Sequence, residues 1–573
     1  MLSMENIEIA KLLSETADLM EIAAEDGFRI RSYRNAASVI EGYSERLATL
    51  RADPTRKLTD IPGIGKGIAA VIDEIETRGS FDRRDQLLER YPPTALEMLH
   101  IHGLGPKTIA VLIEALRITT LEDLERACKE QKIRTLPRLG AKHEEKILRG
   151  IEQYRRSAGR YLLNFADAMA AELIAYLAAT PGVEAVTPAG SFRRGKETVG
   201  DLDLLVTGPG AQAALDRFVA HPKVSEVLGH GENKASARVG LEGIQVDVRA
   251  LPTESFGAAM QYFTGSKEHN VALRQRALKL GYSLNEYGLF RLDDESRVAG
   301  STEAEIYTTL GLPFIPPEMR ENQGEFDSPI PALLELSDIR GDIHMHTRES
   351  DGRATLEEMA ASARALGHEY IAITDHSKAL AMANGLDEKR VLDFAARVRA
   401  LDHEALGIRV LSGIECDILR DGRMDLDDEA LAALDFVVAS VHSYMNLARE
   451  EMTERYLRCL ENPYVKTIGH PSGRVLLHRE AFFYDFETIA AAAAKRNVAM
   501  EINASPERLD LHSTLIRIAK SKGVRFTIST DAHHPKHLEN MKYGVKMARR
   551  GWLSKNDVLN TLPYKEFIQT WEK

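Results

Sequence analysis

The sequence predicts a multidomain protein with an all-α front part, an α/β middle part and a C-terminal distorted (βα)7 barrel. Three observations predict it. At 573 residues the chain is too long for one hydrophobic core, so several domains of roughly 100 to 250 residues are expected. Up to about residue 180 apolar residues recur at helical spacing, as in IAAVIDEI and TIAVLIEAL, and from about 183 strands such as DLDLLV (201–206) and GIQVDVRAL (243–251) enter. Beyond residue 338 seven apolar runs recur with helical segments between them: RGDIHMH, YIAITDH, RVLSGIECD, FVVASVH, VKTIGH, VAMEIN and FTISTDAH. Parallel strands with crossovers fit that alternation, and a closed barrel is their economical arrangement. The polar residues of these runs fall at the carboxyl ends of the strands, where barrels gather their active-site groups.

Composition narrows the classes. A net charge of -12 argues against a uniformly basic nucleic-acid coat, yet residues 101–160 hold 13 Lys plus Arg against 8 Asp plus Glu. The three cysteines, Cys128, Cys416 and Cys459, are far apart, which argues against a disulfide framework and a cysteine zinc site and points to a reducing compartment. No stretch approaches the roughly 20 apolar residues of a membrane span, and the start MLSMENIEIAKLL is amphipathic rather than a signal peptide. A cytoplasmic protein without membrane contact is expected. The Pro-bearing stretch LPFIPPEMRENQGEFDSPIP, 312–331, reads as an exposed linker with no continuous face to bury.

In the front part DIPGIGKGIAAVI (60–72) and HIHGLGPKTIAVLI (100–113) match one another: an apolar residue, a Gly-x-Gly turn, then a helix. This is the helix-hairpin-helix pattern. Gly63, Gly65, Gly103 and Gly105 let the backbone turn tightly, and free amides at the next helix start bind a phosphate without reading sequence. Lys66 and Lys107 follow the two turns and suit backbone binding. A weaker third copy, TLPRLGAKHEEKIL, has Arg138 in place of the first Gly.

The middle part holds GSFRRGKETVGDLD, 190–203. Asp201 and Asp203, two apart in a strand, present both carboxylates on one face, an arrangement that is costly without a cation between them. Asp247, in IQVDVRAL, is the natural third carboxylate. Three carboxylates holding two divalent ions form a clamp for in-line displacement at phosphorus. Gly190 and Ser191 form a phosphate-binding turn upstream, and Arg194 is suited to neutralising triphosphate charge.

These residues resemble the nucleotidyltransferase motif of family X DNA polymerases, and the resemblance continues through RIRSYRNAASVI (29–40), both Gly hairpins and YFTGS (262–266), covering about residues 5–317. It implies a lyase-like domain over 1–90, fingers over 91–157, a palm over 158–253 and an α+β thumb over 254–317. Asp201, Asp203 and Asp247 would hold two magnesium or manganese ions, with Gly190, Ser191, Arg194 and Gly200 toward the triphosphate. Tyr262, Phe263 and Gly265 would lie beside the incoming sugar, Asn270 and Arg274 near the nascent base pair and template, and Arg29 and Tyr33 on DNA at a 5'-phosphate. One departure matters: the family's Schiff-base lysine position, in KGIAAVIDEI, is Val71, which has no amine. Gap binding without 5'-deoxyribose-phosphate lyase activity is therefore expected, Lys66 being the alternative amine.

Six of the seven strand ends of the last part, all but that of VAMEIN, carry His344, His346, Asp351, His376, Glu415, His442, His470, Asp531 and His533. Imidazole and carboxylate together suit zinc, manganese or iron, and nine groups exceed the needs of one ion, so two or three are implied. Arg474, in HPSGR, reads either as a phosphate contact or as an exposed salt bridge. HMHTRESDG, TDH, GHP and DAH are similar to the polymerase and histidinol phosphatase (PHP) domain over 338–573, which hydrolyses phosphoesters, with 318–337 as linker.

The combined resemblance, to bacterial family X DNA polymerases with a C-terminal PHP domain, implies gap filling in base excision repair with a 3'-5' exonuclease or related phosphoesterase. Gapped or nicked duplex DNA and deoxynucleoside triphosphates would be its partners, and a nucleoid-associated monomer its form. Two other readings compete: a hydrolase with a DNA-targeting front half, against which the intact triad speaks, and a DNA-bridging protein, against which both ligand sets speak.

Overall fold

The computed structural model describes residues 4–571 except 5, 42, 44–46, 54, 100, 102, 103, 137, 138, 158, 241, 478 and 480. Gly103 and Arg138 therefore lie outside the described residues. The chain divides into two compact units, Met1–Tyr161 with Gln212–Arg249, and Leu162–Ala211 with Ala250–Lys573.

The first unit is mainly short helices around one core that includes Leu13, Ile40, Ile72, Ile75, Ile109 and Leu112. The helix Lys66–Arg78 buries Ile68, Ile72 and Ile75, one stripe at helical spacing, and ends at Gly79, whose left-handed backbone (φ 76°) donates its N–H to the Ile75 carbonyl. Pro106 opens the helix Pro106–Leu116, where its missing N–H costs nothing. This unit also contains the antiparallel strands Val224–His230, Lys234–Val239 and Ile244–Leu251, with Ser236 opposite Asp247.

In the second unit the strand Asp201–Thr207 pairs antiparallel with Ala185–Pro188, and an antiparallel three-stranded sheet spans 282–299 beside the helices Lys267–Lys279 and Glu303–Thr309. The seven expected C-terminal runs are all strands and all parallel, in chain order: Gly341–Asp342, Tyr370–Ile373, Arg409–Asp417, Phe436–Ser440, Thr467–Ile468, Ala499–Asn503 and Phe526–Ser529. The sheet nearly closes. Past the first strand His346 N–H donates to the Ala532 carbonyl at 2.8 Å, and the buried Asn560 amide spans the seam, donating to the carbonyls of Gly341 and Ile528, each at 2.7 Å, and accepting from Ile528 N–H at 2.9 Å. His344 and His346 stand just beyond the first strand's regular ladder rather than inside it.

The expectation of an exposed linker over 312–331 is corrected. Ile315 and Met319 are buried in the core of the 282–299 sheet, and Phe326, Ile330 and Leu333 pack against it. Arg320, fully buried, donates to Glu303 at 2.6 Å and to the Ile315 carbonyl at 2.8 Å; Glu325 pairs with the buried His269 at 2.8 Å. The polar residues that made the stretch look solvated find charged partners far away in sequence, and those partners make burial tolerable. Among the described residues no helix is long and apolar enough to cross a membrane.

Candidate functional site

All nine predicted ligand residues converge at the carboxyl ends of the barrel strands. Three groups have donor atoms close enough to share an ion: His346, Asp351, His376 and His533; His344, His346 and Asp531; and His376, Glu415 and His442. His346 and His376 each belong to two groups, so the sites are contiguous. His470 joins through Nε2, 2.9 Å from Glu415 Oε1. Burial, with His376 and His533 beside it, pushes the His346 pKa down to about 3, whereas for His376 and His442 the Glu415 carboxylate outweighs burial and lifts theirs to about 10 and about 9. Burial would raise the Glu415 carboxyl, but His442, His344 and His376 hold it well below the usual carboxylate range. His346 Nδ1 and His470 Nδ1 are buried without a hydrogen-bond partner, while His376 Nδ1 and His344 Nε2 crowd one Glu415 oxygen, Oε2, at 2.9 and 3.4 Å without the alignment of hydrogen bonds. Orphaned imidazole nitrogens facing carboxylates are what divalent cations satisfy, so the donor set fits metal ions. His470 (φ 26°) and Asp531 (φ 53°) hold left-handed backbone, strain of the kind that gathers at functional sites.

Two further carboxylates orient the imidazoles and were missed from sequence. Glu501 Oε1 lies 2.7 Å from His344 Nδ1, and Asp417 Oδ1 2.5 Å from His442 Nδ1. Asp417 stands two residues past Glu415 on one strand, hence on the same face, and that alternation is the signal that points to it. Arg474 is neither a free phosphate contact nor an exposed salt bridge: it is largely buried, paired with Glu197 at 3.3 Å and bonded to the carbonyls of Arg508 and Leu509. The cation beside the cluster is Arg508, with Nε 3.7 Å from Asp531 Oδ2.

In the same unit Asp201 and Asp203 lie on one face of their strand, next to the short helix Gly190–Arg193. Gly190 has φ 60°, and Ala189 N–H donates to the Asp203 carbonyl at 2.9 Å, which brings the turn onto the carboxylate strand. Asp247, on Ile244–Leu251 of the other unit, is buried; burial would raise its carboxyl, but Lys234 Nζ at 2.5 Å helps hold it below the usual range. A carboxylate that already takes an ammonium as counterion is suited to a divalent ion.

Tyr262 and Phe263 meet edge to face at 5.0 Å and are followed by Gly265 (φ 70°). Asn270 is buried, with Nδ2 on the Tyr262 carbonyl at 2.6 Å and Oδ1 accepting from Gln261 at 2.7 Å, so it braces the aromatic pair; Arg274 is exposed one turn later. Ser191 and Gly200 are partly exposed at the start of the carboxylate turn and just before its strand.

In the first unit Arg29, Tyr33, Gly63, Gly65 and Val71 line one cavity of about 400 Å³. Gly63 takes φ 96°, Gly65 caps the following helix, and Lys66 is exposed at its first residue. Gly105 caps the second hairpin's helix, with Lys107 exposed in its first turn. Val71 brings a hydrocarbon wall to the cavity.

Comparison with known proteins extends this geometry. A helix-hairpin-helix domain matches residues 4–81, a SAM-like helix-hairpin-helix tandem 95–153, the DNA polymerase beta palm 166–234, the DNA polymerase beta thumb 259–321 and the PHP domain 342–505. "DNA polymerase/3'-5' exonuclease PolX" of Bacillus subtilis is 35% identical over 566 residues, 98% of each chain. DNA polymerase lambda of Arabidopsis thaliana is 27% identical over 55% of this chain and 62% of its own, and a probable phosphatase of Acetivibrio thermocellus is 33% identical over 34% of this chain and 78% of its own. Fold and sites thus define a nucleotidyltransferase joined in one chain to a barrel whose donor set fits metal ions. The chain belongs to the bacterial family X DNA polymerases that carry a C-terminal PHP domain. It is a DNA polymerase, with DNA and deoxynucleoside triphosphates as substrates and divalent metal ions as cofactors.

Proposed function

We propose that this polymerase fills short gaps in DNA during base excision repair and trims 3' ends at the barrel site. The observation that carries the second activity is the convergence of nine ligand side chains with orphaned imidazole nitrogens, a donor set too complete for a structural relic. The Bacillus subtilis relative, a named 3'-5' exonuclease, and the probable phosphatase support the same reading.

By the sequence resemblance, Asp201, Asp203 and Asp247 would hold two magnesium or manganese ions, which would supply charge neutralisation for in-line displacement at phosphorus. The chain's own groups do the rest. Gly190, Ser191, Gly200 and Arg194 receive the triphosphate; Tyr262 and Phe263, turned by Gly265 and braced by Asn270, flank the sugar; Arg274 reaches the template. Arg29, Tyr33 and the hairpins at Gly63, Gly65, Lys66 and at Gly103, Gly105, Lys107 grip DNA through its phosphates, so the grip is independent of sequence. With Val71 at the lyase position the gap is bound at its 5'-phosphate and a 5'-deoxyribose phosphate is left in place.

At the barrel site the nine ligands hold two or three zinc, manganese or iron ions, whose Lewis acidity serves phosphoester hydrolysis. Glu501 and Asp417 fix the tautomers of His344 and His442. The enzyme works as a monomer, with a lyase-like module over 1–90, fingers over 91–157, palm over 158–253, thumb over 254–317 whose core the stretch up to Leu333 completes, and the phosphoesterase over 338–573.

The test is a labelled primer on a one-nucleotide gapped duplex, with manganese, with and without the complementary nucleotide. Extension by one residue with nucleotide and shortening without it is the expected result. Shortening alone under both conditions would give the lead to a hydrolase with a DNA-targeting front half.

A further inference from the structure

The helix Met541–Arg550, the last long helix of the barrel, packs against the turn that follows Gly190. A Cβ on Gly195 would meet the Lys546 side chain at 3.4 Å, and Lys546 Nζ lies 5.4 Å from the centre of the Phe192 ring. Asp167 Oδ2 accepts from Lys542 Nζ at 2.6 Å and from the Tyr543 hydroxyl at 2.9 Å. At the end of this helix the buried Arg550 donates from Nη1 to the Arg194 carbonyl at 2.9 Å and to Glu321 Oε1 at 3.0 Å. The same Glu321 oxygen accepts from Arg194 Nε at 3.1 Å, Lys196 Nζ stands 3.5 Å from Oε2, and Arg194 Nη1 donates to the Thr264 carbonyl. Two edges of the Arg194 guanidinium are thus held, and among the described residues no group takes Nη2.

We propose that Arg550, a residue of the barrel, is a positioning residue of the polymerase's nucleotide site. It fixes the backbone of the phosphate-binding turn at the Arg194 carbonyl and, through Glu321, aims the Arg194 guanidinium with Nη2 toward the triphosphate. The guanidinium plane suits this bridging, because one Arg reaches a carbonyl and a carboxylate together where an ammonium on a flexible stem does not hold both in a fixed geometry. Arg194, Lys196 and Arg550 surround Glu321, and Lys196 and Arg550 also act on Glu197, so three cations face two carboxylates at the turn and the excess positive charge favours a polyanion. The barrel is on this account part of the synthetic site and not only the carrier of a second one. The inference rests on the reading of Arg194 as a triphosphate contact.

The test is single-nucleotide insertion by the full chain on the gapped duplex, with KM for the nucleotide and kcat measured separately for the parent, Arg550→Ala, Arg550→Lys, Arg194→Ala and the Arg194→Ala/Arg550→Ala double variant. Arg550→Ala is expected to raise KM about ten-fold with a smaller change in kcat, Arg550→Lys to recover part of it, and the double variant to differ less than about two-fold from Arg194→Ala alone. Shortening of the primer without nucleotide reports an intact barrel in each variant. If Arg550→Ala fails to fold, Arg550→Lys decides, since an unchanged KM there contradicts the bridging role. A raised KM in Arg194→Ala with a parental KM in the Arg550 variants overturns the inference alone. A parental KM in Arg194→Ala overturns the reading of Arg194 itself, and an Arg550 effect that multiplies in the double variant places its action elsewhere.

Discussion

Asp203 Oδ2 lies 2.5 Å from the point where a Cβ on Gly190 would stand. The turn and the carboxylate strand therefore fit only with glycine there, and the left-handed φ of 60° adds a second reason. Gly190→Ala is expected to push the Asp203 carboxylate aside and to lower nucleotide insertion by about 100-fold, the scale of a misplaced catalytic group. Primer shortening by the barrel is expected to persist. Single-turnover insertion on a gapped duplex, with shortening assayed alongside, measures both.

Asn560 closes the barrel seam with three buried hydrogen bonds to the first and last strands. Asn560→Ala leaves backbone groups of Gly341 and Ile528 unpaired, at about 1 to 3 kcal/mol each before relaxation. A loss of roughly 3 kcal/mol is expected in the urea unfolding transition that reports on the barrel. Asn560→Asp, which sets a buried carboxylate against the Gly341 and Ile528 carbonyls, is expected to lose at least as much.

Val71 lines the same cavity as Arg29 and Tyr33. The parent protein is expected to give no borohydride-trapped adduct with DNA carrying a 5'-deoxyribose phosphate, and Val71→Lys to give one. An adduct in the parent that disappears in Lys66→Ala would identify Lys66 as the amine.

Chelation tests the barrel site independently of its products. Removal of metal leaves imidazoles and carboxylates packed without a counter-ion, so the barrel's melting temperature is expected to fall and to recover when manganese is returned. A melting temperature unchanged by chelator and by added metal would contradict a metal-holding role for the cluster.

The sites were more legible than their connections. Asp201 and Asp203 announce themselves by strand alternation, and the nine candidate barrel ligands by their place at the ends of six of the seven apolar runs, because strand period and barrel topology carry local patterns into three dimensions. The stretch containing Arg320 and Glu325 was misread because nothing near them in sequence indicates burial; their partners Glu303 and His269 lie 17 and 56 residues away. Arg550 and Glu321 were invisible for the same reason, since the Arg550 contact with the Arg194 carbonyl spans 356 residues. Asp417 was legible in principle, sharing a face with Glu415, whereas Glu501 is known only once its strand is placed beside His344.

The most direct test of the central claim, two metal-dependent phosphoryl chemistries at two separate sites of one chain, is a pair of variants assayed on the same gapped duplex. Asp201→Ala is expected to abolish extension and keep shortening, and His346→Ala to keep extension and abolish shortening. Loss of both activities in either single variant, with folding intact by circular dichroism, would contradict it.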